Sequence, residues 1–179
     1  GKIKKPAFSS EFPARVLTTQ LEWEDLVLSN QTREQLNELQ AWIQFEEQLM
    51  KGWEMSAKLK PGYRCLFYGP PGTGKTLTAA LLGKRYDRDV FRVDLERIFE
   101  QTVMYNSILF FDEADALFGK RTNVNEAHDR YANQEVSYLL QRIEDYEGIV
   151  ILASNFKTNI DDAFMRRFQS AVFFPMPEA

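Results

Sequence analysis

The run Gly69-Pro70-Pro71-Gly72-Thr73-Gly74-Lys75-Thr76-Leu77 contains the pattern G-x-x-x-x-G-K-[ST]. Each residue type in it has a chemical reason. Glycines let the backbone curl until several N–H groups face one concavity, where anionic phosphates sit. Lys75 adds a mobile positive charge for β- and γ-phosphates, and Thr76 adds a hydroxyl for Mg²⁺. Pro70 through Leu77 are therefore candidate nucleotide contacts. The competing reading is an ordinary Gly/Pro turn joining a strand to a helix.

A second group follows downstream. Ile108-Leu109-Phe110-Phe111 is apolar and ends in Asp112-Glu113. A strand through a sheet would deliver both carboxylates at its C-terminal end, where open α/β sheets bind ligands. Asp112 suits Mg²⁺, and Glu113 suits a base that orients and deprotonates an attacking water. Asn155, after Leu152-Ala153-Ser154, offers an amide to a γ-phosphate or to that water, or else caps a turn. Arg166-Arg167 is either a solvated basic pair or, in an oligomer, a pair that reaches a neighbour's nucleotide.

The elements that must position these groups are legible too. Arg64–Tyr68 reads as a buried strand ahead of the glycine loop, and Leu77–Leu82 as the helix after it. Val90–Val93, Ile108–Phe111, Ile149–Leu152 and Ala171–Phe174 read as four more strands. A helix carrying Ala132, Val136, Leu139, Leu140 and Ile143 lies between the third and fourth strands. Short apolar strands alternating with helices predict a parallel sheet covered on both faces. Ahead of it, Thr32-Arg33-Glu34-Gln35 has capping-box form and opens a long amphipathic helix to about Lys51. Trp42 and Trp53 read as core anchors. Residues 1–20, with Lys2, Lys4, Lys5, Pro6 and Pro13, read as an extended arm, and Leu21–Leu28 as a linker packed on the body. The division is 1–30, arm and linker, and 31–179, α/β body.

Composition sets bounds. The 179 residues suffice for one domain with a core, and a net charge of −4 argues against a broad nucleic-acid surface. One cysteine excludes a disulfide framework, and Cys65 inside a strand reads as a buried thiol. With one histidine, His128, no zinc cluster can be built. No apolar run has the length of a membrane span, and the cytoplasm is the default setting. Asp112-Glu113-Ala114-Asp115 spells the DEAD box, but the chain is short for two helicase motor domains and shows no basic, aromatic-studded groove. No Asn-Lys-x-Asp follows the fourth strand, which disfavours a GTPase.

In order and context, these motifs resemble Walker A, Walker B, sensor 1 and the arginine fingers of AAA+ ATPases. The wording of Phe110–Arg121 and of Asn159 through Phe168 is similar to a group of bacterial AAA ATPases with a single ATPase module. Trp23-Glu24-Asp25-Leu26 resembles the linker that reaches the adenine pocket, making Asp25 and Leu26 candidate nucleotide contacts. The resemblance covers about residues 20–179. It implies a P-loop NTPase fold, three-layer α/β/α, with a five-stranded parallel sheet in the order 5-1-4-3-2. It also implies ATP and Mg²⁺ as ligands, with hydrolysis to ADP and phosphate at the interfaces of a ring, usually of six. The work done is remodelling of a protein partner, which the sequence does not name. The alternative is a nucleotide-gated scaffold with little motor activity.

Two departures qualify the resemblance. The family's helical lid, with its sensor 2 arginine, would begin about where this chain stops. The stretch from Leu95 to Ser107 is also short by about fifteen residues for the family's pore loop and helix. Either a segment is absent from this sequence near Leu95–Glu96, or the loop is truly deleted.

Overall fold

The computed structural model describes residues 14–51, 62–93, 107–115, 137–138, 140–155 and 165–178. The lysine-rich arm, Trp53, the Leu95–Glu96 junction, Ala132, Val136, Leu139, His128 and the stretches 116–121 and 159–164 lie outside them.

In chain order the elements are β1 (Ala14–Val16), a 3-10 turn (Trp23–Asp25), α1 (Asn30–Lys51), β2 (Tyr63–Tyr68) and α2 (Lys75–Arg85). Then come β3 (Val90–Val93), β4 (Ile108–Phe111), β5 (Ile149–Ser154) and β6 (Ser170–Phe173). The sheet runs β1-β3-β4-β5-β2-β6. From β3 to β6 all neighbours are parallel, and their order is the expected 5-1-4-3-2 read from the other edge.

Among the described residues the sheet has six strands, one more than the five expected. β1 pairs antiparallel with β3, Arg15 opposite Arg92. The end of the expected arm is thus part of the sheet, and Leu17 beyond it packs on the core. Three residues carry too little pattern to announce a strand.

Alternation decides which side chains face which layer. Tyr63, Cys65 and Phe67 of β2 point to the face covered by Leu36, Leu39 and Ile43 of α1 and Ala79 and Leu82 of α2. Leu66 points to the other face, toward Ile143, Met165 and Phe168. Both faces are therefore covered, and β4 and β5 are buried along their whole length. Residues 140–145 are helical with Leu140 and Ile143 buried, as their spacing predicts. Trp42 stacks on Tyr63 at 5.3 Å between centroids, a core role. Among the described residues no helix is long and apolar enough to cross a membrane.

The start of α1 corrects the capping-box expectation. The helix begins at Asn30, and its first turn is closed by Ser29, whose Oγ accepts the Thr32 N–H at 3.2 Å. Thr32 and Gln35 serve the sheet instead. Thr32 Oγ1 donates to the Phe173 carbonyl at 2.7 Å, and Gln35 Oε1 accepts the Phe173 N–H at 2.8 Å. Ser/Thr followed three residues later by Gln marks a polar face as readily as a cap, and only the packing separates the two.

Cys65 has no exposure, and burial pushes its thiol up to about 12. The thiolate is the reactive form. Native protein at pH 8 is therefore expected to resist a thiol reagent, reacting only at the rate of unfolding. Rapid stoichiometric labelling without denaturant is the result that contradicts this.

Candidate active site

Three parallel neighbours, β4, β5 and β2, end side by side, so whatever follows each strand arrives at one edge of the sheet. Gly69 follows β2, Asp112 follows β4 and Asn155 follows β5. Main-chain bonds hold the three ends together. Gly69 N–H donates to Ser154 O at 3.2 Å, and Ala114 N–H donates to Ala153 O at 2.9 Å.

The loop takes its shape from its glycines. Gly69, Gly72 and Gly74 have φ of 146°, 75° and 96°. A Cβ on Gly69 would stand 2.2 Å from the Phe174 carbonyl oxygen, so no larger residue fits. At Gly72 a Cβ would meet nothing within 4 Å, so the backbone conformation alone requires glycine there. Gly74 caps α2, whose first N–H groups and positive dipole end face the loop. Thr73 Oγ1 donates to Pro70 O at 2.8 Å, bracing the turn.

Lys75 is 7% exposed, and its ammonium donates to Gly69 O at 2.7 Å and to Pro70 O at 2.8 Å. Burial lowers its pKa, while Asp112 and Asp115 act against that shift. The cation is thereby held over the loop rather than extended into solvent. Thr76 and Leu77 follow in the first turn of α2, half-buried, while Pro71 and Gly72 form the exposed tip.

The carboxylates are set differently from each other. Asp112 Oδ2 pairs with Arg92 Nη2 at 3.0 Å, and Asp112 Oδ1 accepts the Glu113 N–H at 2.8 Å. Glu113 is exposed and sits at φ 54°, in the left-handed region that side-chain-bearing residues rarely adopt. Such outliers persist where the surrounding structure over-determines them, often at functional sites.

The sequence offered no role for Arg92 or Asp115, and both belong to the site. Asp115 Oδ1 accepts the Asn155 N–H at 3.1 Å and the Ser154 hydroxyl, tying the turn after β4 to the end of β5. Its signal was the third acid of Asp112-Glu113-Ala114-Asp115. Arg92 lies beside Phe110 in the β3–β4 ladder, two residues short of Asp112, a placement visible only once strand register is known.

Of the linker candidates, Leu26 is brought to the loop and Asp25 is not. Leu26 is 3% exposed, and its Cδ1 lies 3.9 Å from where a Cβ on Gly74 would stand. The Asp25 carboxylate instead accepts the Glu22 N–H at 2.8 Å, closing the 3-10 turn. The linker is fastened along α2, with Glu22 on Lys84 Nζ at 2.6 Å and Trp23 under the Arg85 guanidinium at 4.9 Å.

Arg166 and Arg167 lie elsewhere. Gln169 N–H donates to Arg64 O at 2.9 Å, which fixes their turn at the start of β2. The five steps from Arg64 along β2 to Gly69 span about 16 Å. Both arginines are exposed at the end of β2 away from the phosphate loop. Arg167 Nε pairs with Glu144 Oε1 at 3.2 Å.

The donor set fits a nucleotide and a hard divalent cation: a glycine concavity lined by N–H groups, a buried ammonium, a hydroxyl at Thr76 and a carboxylate at Asp112.

Comparison with known proteins agrees. Residues 65–176 match the family model described as ATPase family associated with various cellular activities (AAA). An uncharacterized AAA family ATPase, y4kL, of Sinorhizobium fredii (strain NBRC 101917 / NGR234) is 34% identical over 138 residues, covering 68% of this chain and 41% of the relative. The mitochondrial inner membrane i-AAA protease supercomplex subunit YME1 of Saccharomyces cerevisiae is 30% identical, covering 91% of this chain and 24% of the relative. The chain thus spans less than half the length of these relatives. The crystal structure of the FIGL-1 AAA domain in complex with ADP shares the fold, with a TM-score of 0.62 at 21% identity over 94% of this chain and 60% of that one. The yeast alignment runs over 185 residues, more than this chain's 179, yet takes in 91% of them, so YME1 carries residues with no counterpart here. The Leu95–Glu96 junction, where the sequence locates such a shortfall, lies outside the described residues.

Proposed function

This chain belongs to the AAA family of ATPases, and from that premise we propose that it hydrolyses ATP to ADP and phosphate within a homo-oligomeric ring of six, remodelling a protein partner. The observation that carries the proposal is the convergence of the phosphate loop, Asp112-Glu113 and Asn155 on adjacent strand ends, joined by the bonds from Gly69 and Ala114 to β5. In this proposal Pro70 through Leu77 bind the phosphates, with Lys75 on the β- and γ-oxygens, and Leu26 borders the base. Thr76 and Asp112 would hold Mg²⁺, which when bound neutralises charge shared between those phosphates. The Glu113 carboxylate takes the proton of the attacking water, and Asn155 orients the water or the γ-phosphate.

Arg166 and Arg167 serve the neighbouring subunit. Their place at the far end of β2 supports this, since about 16 Å of strand separates their turn from their own loop. The setting proposed is the bacterial cytoplasm, with no nucleic-acid substrate.

Complementation tests the reading in the full-length protein. Glu113→Gln chains and Arg166→Ala/Arg167→Ala chains are each expected to keep only a small residual turnover alone. Mixed, they should recover turnover, because a Glu113→Gln chain lends its arginines to an intact neighbouring site. No recovery, under conditions where the two chains co-assemble, removes the trans role. Stimulation by a protein substrate separates a motor from a nucleotide-gated scaffold.

A further inference from the structure

Arg64 is a buried cation far from the phosphate loop. Its side chain stands on β2, on the face of the sheet that packs against Met165 and Phe168. It is 9% exposed, and burying a guanidinium is costly unless its donors are engaged. They are engaged by main chain. Nε donates to the Arg167 carbonyl at 2.9 Å, and Nη1 donates to the Glu144 carbonyl at 3.1 Å. The backbone of Arg64 is clasped as well. Its N–H donates to Gln169 Oε1 at 2.8 Å, and its carbonyl accepts the Gln169 N–H at 2.9 Å. Four hydrogen bonds thus join one residue of β2 to the turn bearing Arg166 and Arg167 and to the helical segment beside it.

We propose that Arg64 is a positioning residue for the arginine pair, fixing the turn that carries it to the strand that ends in the chain's own phosphate loop. The inference rests on the reading that Arg166 and Arg167 act on a neighbour's nucleotide. A planar guanidinium presents its donors as a rigid fork that spans two separated carbonyls, whereas a lysine ammonium is a single point on a flexible stem. The ion pair between Arg167 and Glu144 is 40% and 24% exposed, so on its own it would hold the turn weakly. The buried fork of Arg64 supplies the constraint that the surface pair lacks. Because β2 is continuous from Arg64 to Tyr68, the arginines offered to one neighbour and the loop that binds this chain's nucleotide share one rigid element.

The test compares four forms of the full-length assembled protein: Arg64→Lys, Gln169→Ala, the arginine-less Arg166→Ala/Arg167→Ala, and that pair combined with Arg64→Lys. Arg64→Lys is expected to lower kcat at saturating ATP by about 10- to 100-fold, since a misplacement of about 1 Å can cost 10²-fold. Affinity for a fluorescent ATP analogue should stay within about twofold, as the loop is untouched. Adding Arg64→Lys to the arginine-less pair should cost nothing more, because both act through one turn. Gln169→Ala, at an exposed position, should move kcat the same way by less, and it carries the test if Arg64→Lys does not fold.

A merely structural Arg64 would lower the melting temperature and leave kcat alone. An unchanged kcat in Arg64→Lys alongside a large loss in the arginine-less pair overturns this inference and spares the trans reading. A further multiplicative loss in the combined variant also overturns it. An arginine-less pair with wild-type kcat overturns the trans reading, and the inference falls with it.

Discussion

Glu113→Gln is expected to leave ATP binding within about twofold of wild type and to cut turnover by about 10²- to 10⁴-fold, the usual contribution of a positioned general base. The exchange keeps the shape of the side chain and removes its ability to take a proton. Binding should survive because the proposed phosphate contacts belong to the loop and α2, while Glu113 stands exposed beyond the end of β4. Single-turnover hydrolysis and equilibrium binding measured on one preparation check both halves. Turnover at the wild-type rate would remove Glu113 from the mechanism. Glu113→Gly is a useful companion. Relief of the left-handed backbone, about 1–2 kcal/mol, outweighs or matches the entropy glycine adds to the unfolded chain, about 0.4–1 kcal/mol. The glycine variant should thus be as stable as wild type or more so, and equally inactive. Such a result would mean that the fold tolerates strain at this position for the sake of its carboxylate.

Lys75→Met carries the other large effect. It keeps an apolar stem in a site that is 7% exposed and deletes the ammonium that now bonds Gly69 O and Pro70 O. Hydrogen bonds to charged groups contribute about 1.5–3 kcal/mol each, so ATP affinity should fall by about 10- to 100-fold or more. A thermal shift reads this directly. Ligand in excess raises the melting temperature of a protein that binds it. Wild-type protein should gain stability on adding Mg·ATP, and Lys75→Met should not. An equal gain in both would show that the loop binds phosphates without its lysine.

The candidate site residues were legible because their local context is rigidly prescribed. A glycine loop between a strand and a helix, and an apolar strand ending in two acids, each announce their own geometry. Their convergence followed from parallel strand order. What stayed hidden depends on contacts distant in sequence. Arg92 meets Asp112 across a ladder, Arg64 meets Arg167 and Glu144 from three separate segments, and Thr32 meets Phe173 across 141 residues. No periodicity encodes such meetings. The capping-box pattern at Thr32 misled for that reason, since the same hydroxyl and amide that would close a helix also suit a strand's main chain. β1 escaped notice because its pairing partner, not its own composition, makes it a strand.

The two ends of the sheet have a further consequence. Open strand edges are templates on which other chains extend a sheet, and proteins held at high local concentration must blunt them. Here one outer strand, β1, is three residues long, has Arg15 at its centre and follows Pro13 in sequence. The other, β6, has the outward N–H and carbonyl of Phe173 already taken by Gln35 and Thr32. Among the described residues both outer strands are thus blunted, which works against edge-to-edge pairing of copies into β-aggregates. In the ring proposed above, contacts between copies would then fall to turns and side chains, which can part and re-form through a catalytic cycle.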